Sequence, residues 1–407
     1  MNSNLIFKNT VLFFALSIFS CGKSAQVNNS VINTSTEITN KSNNKNQTLL
    51  TGAQVLAQDL TLLKNKKVGI ITNQTGILDS QTHLVDFLLK NNINLTTIYA
   101  PEHGFRGTAD AGELIKDGKD TQTGLPIISL YGNNKKPKPE QLTNIDVILF
   151  DLQDVGARFY TYISSLHYAM EACAEQNIPI IVLDRPNPNG SIIDGPILEP
   201  ENTSFVGMHT IPVLHGMTIG EYAKMINGEG WLKNKTKANL TVIACKNYNH
   251  NQTYNLPVKP SPNLPNAQAI NLYASLCFFE GTNVSVGRGT ETQFQIYGSP
   301  FITNLPYKFT PKPNFGAKDP MHNGKICIGE NLTSEPKLTQ LEIKYLIKAY
   351  QNTTDKTKFF NSFFTKLAGT KKLQQQIEMG MSEDEIRASW EVGLQQFQKI
   401  RAKYLLY

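Results

Sequence analysis

The chain holds five cysteines in 407 residues, and no two of them stand in a CxxC pair. Zinc and dithiol redox centres need such spacing, so neither is indicated. Cys173 falls on the apolar face of an expected helix, and buried free thiols are the expectation for most of the others. Nucleotide motifs are missing as well. After the first apolar run the chain reads "TNQTGILDS" (72–80), with one glycine where a dinucleotide fold wants GxGxxG, and no GxxxxGK[ST] occurs. HExxH is absent, and the seven histidines are dispersed, His209 and His215 being nearest in sequence. There is no GxSxG elbow, and the SxxK match "SEPK" (334–337) contains a proline among turn residues. Charge is scarce, at 18% of residues, and the net +6 is spread over many lysines with no basic cluster interleaved with aromatics. These absences lead to an expectation of no cofactor, no metal and no nucleic-acid partner.

At the N-terminus, "VLFFALSIFSCGKS" (11–24) places an apolar segment of signal length directly before Ser20 and Cys21. It resembles a bacterial lipoprotein signal over residues 1–21, cleaved before a Cys21 that is then lipidated, with a plain secretory signal as the alternative. That implies a protein anchored by lipid in the bacterial cell envelope, on the periplasmic side. Residues 22–50 are rich in Asn, Ser and Thr, bury too little apolar surface to offset their ordering entropy, and read as a disordered tether.

From about residue 51 the pattern alternates. Apolar, β-branched runs "KKVGIIT" (66–72), "NLTTIYA" (94–100), "LPIISLYG" (125–132), "IDVILFDL" (145–152) and "IPIIVLD" (178–184) suit strands buried on both faces. Helical spacing lies between them, as in Leu84, Phe87 and Leu88, and in Ile163, Leu166, Met170 and Cys173. Strand, helix, strand predicts an α/β fold, a Rossmann-like doubly wound, mostly parallel sheet without nucleotide, over 51–270. A smaller α+β C-terminal domain follows over 271–407. It ends in a helix started by a Ser382/Glu385 capping box, with Ile386, Trp390, Leu394 and Phe397 on its packed face.

Ligands of open parallel sheets bind beyond the carboxyl ends of the strands. There the expected strands place Asn73, then Glu102 and His103, Tyr131, Asp151 with Asp154 and Arg158, and Arg185. Acids, amides and arginines at successive strand ends suit acid-base chemistry on a polar or anionic substrate such as a sugar.

The segments "PEHGFRG", "TGLPIISLYG", "DVILFDLQDVGARFYTYISSL", "LDRPNPNG", "FVGMHTIPVLHGMTIGEYA", "PSPNLPN", "CFFEGTNVSVGRGT" and the terminal "YLLY" together resemble the exo-β-N-acetylmuramidase family of bacteria, in order, from about residue 54 to 407. The resemblance implies release of N-acetylmuramic acid from the non-reducing ends of peptidoglycan fragments. It also implies that Glu102 of "PEHG" is the prime catalytic residue, and it leads to an acidic residue being expected where Val286 stands. A glutamate that donates a proton near pH 7 needs surroundings that exclude water, since the free side chain ionises near pH 4.3. Phe105 and Tyr131 are the expected cleft wall, and His103 either binds substrate or holds Glu102. The second catalytic group stays open between Asp151 and Asp154, one of which caps the helix near Tyr160, and the acetamido group of the substrate itself. Glu113 is a substrate-binding candidate or a structural partner of Arg106, itself a candidate, as is Glu291. Muramic acid carries a lactyl carboxylate, which a planar guanidinium matches in a bidentate way, so Arg158, Arg185 and Arg288 are candidate readers. Phe278, Phe279 and Glu280 read as core plus a cap. A non-catalytic wall-binding lipoprotein and, more weakly, an envelope amidase or esterase remain as other readings.

Overall fold

Alternate residues of the apolar runs enter opposite faces of one sheet, and both faces are covered. The computed structural model describes residues 48–107 and 117–407. Strands β1 (Val68–Thr72), β2 (Leu95–Ala100), β3 (Gly118–Lys119), β4 (Pro126–Ser129), β5 (Val147–Asp151) and β6 (Ile180–Leu183) are followed by a small antiparallel pair, β7 (Ile193–Asp194) with β8 (Leu214–His215), and by β9 (Leu240–Ile243). The main sheet runs β3-β4-β2-β1-β5-β6-β9, parallel except for the edge pair β3 and β4. Without β3, the parallel strands lie in the order third, second, first, fourth, fifth, sixth, which is the doubly wound arrangement.

Helices α1 (Gly52–Leu56), α2 (Leu84–Lys90), α3 (Pro139–Leu142), α4 (Tyr162–Glu175) and α5 (Ile219–Gly228) belong to this half. Val68 and Ile70 of β1, Val147 and Leu149 of β5, and Ile181 and Leu183 of β6 pack with Leu84, Val85 and Leu88 of α2. Their neighbours Ile71, Ile148, Phe150, Ile180 and Val182 join a second, larger cluster with α4 and α5 that continues into the C-terminal half. Continuous apolar sequence is thus what a doubly covered sheet requires. Strand β9 escapes the sequence pattern because it is an edge strand, half-exposed, with Thr241 facing solvent.

The C-terminal half holds a three-stranded antiparallel sheet, β10 (Ile296–Ser299), β12 (Cys327–Asn331) and β11 (Tyr307–Phe309) in that order. Helices α6 (Ala267–Leu276), α7 (Lys344–Gln351), α8 (Phe364–Ala368), α9 (Lys372–Glu378), α10 (Glu383–Ala388) and α11 (Glu391–Arg401) surround it. The boundary expected at residue 270 falls inside α6, whose residues Ala269–Leu276 are all buried. The single terminal helix expected from the sequence is two. Ser382 and Glu385 do form a capping box, but Ser389 Oγ donates to the Ile386 carbonyl at 2.5 Å and the Ser389 N–H bonds the same oxygen at 3.1 Å, tightening the chain out of α-helix. Ile386, Trp390, Leu394 and Phe397 still reach one core. Beyond α11, Arg401 donates to the Gly216 carbonyl and the terminal Tyr407 hydroxyl to Asp184 at 2.6 Å, so the tail is fastened to the strand-end loops of the N-terminal half. Cys173, Cys245, Cys277 and Cys327 are free and buried. The signal, Cys21 and the tether to residue 47 lie outside the described residues.

Candidate active site

Past the end of β2 the chain turns through His103 and Gly104, both left-handed at φ +74° and +76°. Gly104 adopts that region freely, whereas a histidine there costs roughly 1–3 kcal/mol, strain that collects at functional sites. The turn presents Glu102, half-buried, on the wall of a cleft of about 740 Å³ to which both halves of the chain contribute. Tyr131, just past β4, donates to Glu102 Oε1 at 3.0 Å, and Thr161, at the head of α4, donates to Oε2 at 2.9 Å. The carboxylate is therefore oriented from two separate loops. Tyr162 lies behind, its hydroxyl 3.5 Å from the Glu102 carbonyl and accepting from Asn73 Nδ2 at 2.6 Å. Burial, then the nearby Glu102, push the Tyr162 phenol above its ordinary value, so it stays protonated. Asn73 does not line the cleft; it holds Tyr162. Buried His103 and half-buried Tyr131 do line it, whereas Phe105 packs in the core edge-on to His83.

The crevice between β1 and β5, where doubly wound sheets commonly take ligands, is occupied by the protein's own charges. Asp151 is fully buried and accepts Arg185 Nε at 2.6 Å and Nη2 at 3.0 Å, while Nη2 also reaches the Ile77 carbonyl at 3.2 Å. Neither lines the cleft, because each exhausts the other. Asp154 is likewise buried away from it, Oδ2 accepting the Gly156 N–H at 2.7 Å and standing 3.9 Å from His215 Nε2. Burial pushes Asp154 up to about 7 and His215 down to about 3, so their ordinary charges are suppressed. Neither aspartate caps α4; its N-cap position is held by Thr161.

Arg158 is wholly buried and donates to four backbone carbonyls, those of Pro196, Ile211, Leu367 and Ala368. It ties the halves together and does not face the cleft. Arg106 forms a bidentate pair with Asp120, at 3.1 and 2.8 Å, over the face of Phe105. Glu113 lies outside the described residues. Glu291 is exposed and off the cleft wall. Arg288 is on the wall, with Nε and Nη2 donating to Glu280 Oε1 at 2.9 and 2.6 Å. Burial opposes its charge but Glu280 outweighs it, and the Arg288 pKa is raised. Phe278 and Phe279 are core as expected, but Glu280 lines the cleft and is no cap. Val286 is buried apolar core, where an acid would lack a partner.

Sequence reasoning passed over Thr161, Lys135 and Phe205 and took Glu280 for a cap, and all four are on the cleft wall. Thr161 carried a signal, a hydroxyl residue just ahead of a helical pattern. Lys135 in "NNKKPKP" looks like any solvated lysine loop. Among the described residues, no group of three or more His, Cys, Asp or Glu side chains converges as a metal set would.

Models of the N- and C-terminal parts of exo-β-N-acetylmuramidase NamZ match residues 68–268 and 271–407. The peptidoglycan β-N-acetylmuramidase NamZ of Bacillus subtilis (strain 168) is 42% identical over 393 residues, spanning 89% of this chain and 94% of that protein. A crystallised DUF1343 family protein of Bacteroides fragilis NCTC 9343 has a TM-score of 0.83 at 45% identity, covering 89% of this chain and 99% of its own. A second from the same organism has a TM-score of 0.73 at 30% identity, covering 88% and 99%. With both halves matched in order and at such coverage, the chain belongs to the exo-β-N-acetylmuramidase NamZ family.

Proposed function

We propose that this protein is an exo-acting glycosidase that releases N-acetylmuramic acid from the non-reducing ends of peptidoglycan fragments, with Glu102 donating the proton. The observation that carries it is the Glu102 carboxylate, half-buried on the wall of a sugar-sized cleft and oriented by the Tyr131 and Thr161 hydroxyls. Cleaving a glycosidic bond leaves charge on the departing oxygen, and a positioned carboxylic acid that protonates it lowers that barrier. The remaining described carboxylates on the wall are Glu280, held by Arg288, and Asp319. A 2-acetamido sugar also brings its own carbonyl nucleophile, and with it the protein supplies an acid and a group that orients the amide. Asp151 and Asp154 take no direct part, since neither reaches the cleft.

The same reading puts the enzyme in the cell envelope, held by lipid on Cys21. Support for that is the apolar segment ending at Ser20 and Cys21, followed by a polar stretch long enough to serve as a tether. The test of the activity is hydrolysis of a chromogenic β-N-acetylmuraminide by the purified protein and by Glu102→Gln. Turnover falling by at least about a thousandfold in the variant, with an unchanged circular dichroism spectrum, is expected. Turnover within about threefold of the unaltered protein would remove Glu102 from the mechanism, and tight sugar binding without turnover by the unaltered protein would favour a binding module.

A further inference from the structure

Muramic acid differs from glucosamine by a lactyl ether on C3 that ends in a carboxylate, and a cation on the cleft wall is one group that would select for it. The three arginines at hand are committed elsewhere: Arg158 to carbonyls, Arg185 to Asp151 and Arg288 to Glu280. The other cations on the cleft wall are Lys135 and Lys366, and among the described residues neither forms an ion pair. Lys366 is exposed, whereas Lys135 is half-buried, its Nζ 4.5 Å from the centre of the Phe205 ring. Phe205 is fixed in turn, stacked on Tyr168 at 6.1 Å and 12° between planes. Cation–π seating of this kind holds an ammonium in place while leaving its N–H donors for an anion.

The loop that carries Lys135 begins at Tyr131, whose hydroxyl holds Glu102. Glu102, Tyr131 and Lys135 all line the same cleft, so one bound sugar has both the carboxylate and the ammonium on its walls. A sugar whose C1 oxygen meets Glu102 carries its C3 ether two ring atoms away from C1. Lysine also suits the target, because a compact ammonium accepts a carboxylate on a rotatable ether without the fixed alignment a guanidinium demands.

We propose that Lys135, seated on Phe205, is the residue that recognises the lactyl carboxylate and so sets the preference for muramic acid over N-acetylglucosamine. This rests on the glycosidase reading. A stem peptide attached through an amide removes the charge that Lys135 binds, so peptide-free ends are the better substrates.

The test compares kcat/KM for two chromogenic substrates that differ only in the lactyl ether, using the full chain, Lys135→Met, Lys135→Arg and Lys366→Met. Methionine keeps an apolar stem over Phe205 and loses the charge. A preference for the muraminide that falls at least tenfold in Lys135→Met and is kept in large part by Lys135→Arg supports the proposal. An unchanged preference in Lys135→Met overturns it, as does a loss confined to Lys366→Met. Should the unaltered protein hydrolyse neither substrate, the glycosidase reading has failed separately. Calorimetric binding of free N-acetylmuramic acid and N-acetylglucosamine then decides the role of Lys135: a tenfold loss of discrimination in Lys135→Met supports it, and equal discrimination refutes it.

Discussion

Arg158→Met removes every donor of a guanidinium while keeping much of its volume, and the structure lets the cost be worked out. Nη1 donates to the Pro196 and Ile211 carbonyls at 2.8 and 2.7 Å, and Nη2 to those of Leu367 and Ala368 at 2.9 and 2.8 Å. The Ile211 carbonyl keeps a second donor, the Leu198 N–H at 3.1 Å. The other three lose the arginine, and two of them are the last carbonyls of α8, a helix end that a cation stabilises. At about 1–2 kcal/mol for each buried carbonyl left unpaired, the loss is roughly 3–6 kcal/mol. Relief of a desolvated charge acts the other way, since burial pushes the Arg158 pKa down to about 9, so the expected net loss is about 3 kcal/mol. Out of a typical stability of roughly 5–15 kcal/mol that is a large share. The guanidinium fits so closely that a Cβ on Gly369, at φ +72°, would lie 2.7 Å from Nη2. Urea denaturation followed by circular dichroism measures the loss, and the muraminide-to-glucosaminide kcat/KM ratio measured on the folded variant should be unchanged. An unmoved midpoint with a collapsed ratio would refute the reasoning and return Arg158 to the substrate.

Burial pushes His215 down to about 3, so between pH 6.5 and 3 the unfolded chain binds a proton that the folded one does not. Stability is then lost as pH falls through that window, by on the order of 5 kcal/mol, and His215→Gln should lower the acid-unfolding midpoint; an unmoved midpoint would show that His215 charges without unfolding. Asp154, pushed up to about 7 by burial, has the opposite sign: its contribution is present below about pH 3.8 and lost as pH rises to 7. Asp154→Asn should therefore leave the opposite slope of His215 uncompensated, so that stability rises more steeply with pH between 4 and 6.5, and an unchanged slope would count against it. For location, Cys21→Ala should shift the protein from membrane to soluble fractions, and an unlipidated Cys21 by mass spectrometry of the natural protein would defeat the anchor.

The sheet was legible because its strands are buried on both faces, and a period of two disappears into continuous apolar runs that few other elements produce. Edge strand β9 was not, since a half-exposed strand of four residues leaves little pattern. The place of Glu102 on the cleft wall was legible from its position past the end of β2. The charged residues beside it were ambiguous for a physical reason. Asp151, Asp154, Arg158 and Arg185 sit at strand ends like ligand-binding groups, yet all four are buried in the protein. A sequence shows which charges reach the carboxyl edge of a sheet; it does not show whether they face one another or a ligand. Lys135 fails in the opposite sense, because it stands among other lysines in a polar loop and its ring partner, Phe205, is seventy positions away.

Filling the crevice between β1 and β5 with an Asp151–Arg185 pair has a consequence for where chemistry can occur. A sheet whose switch point is closed offers its outer loops instead, those after β2 and β4 with the segment that leads from β5 into α4, and these make only one wall. The other wall comes from Glu280, Arg288 and the residues around Asp319 in the C-terminal half. Enclosure of Glu102 therefore depends on how firmly the halves are joined, and the joints are the contacts a sequence reader would assign to substrate or overlook: Arg158 on the end of α8, and Tyr407 on Asp184. The buried arginine and the terminal tyrosine hold the two halves together, so on the proposed reading their role is positional, and substrate recognition is left to the side chains that line the cleft.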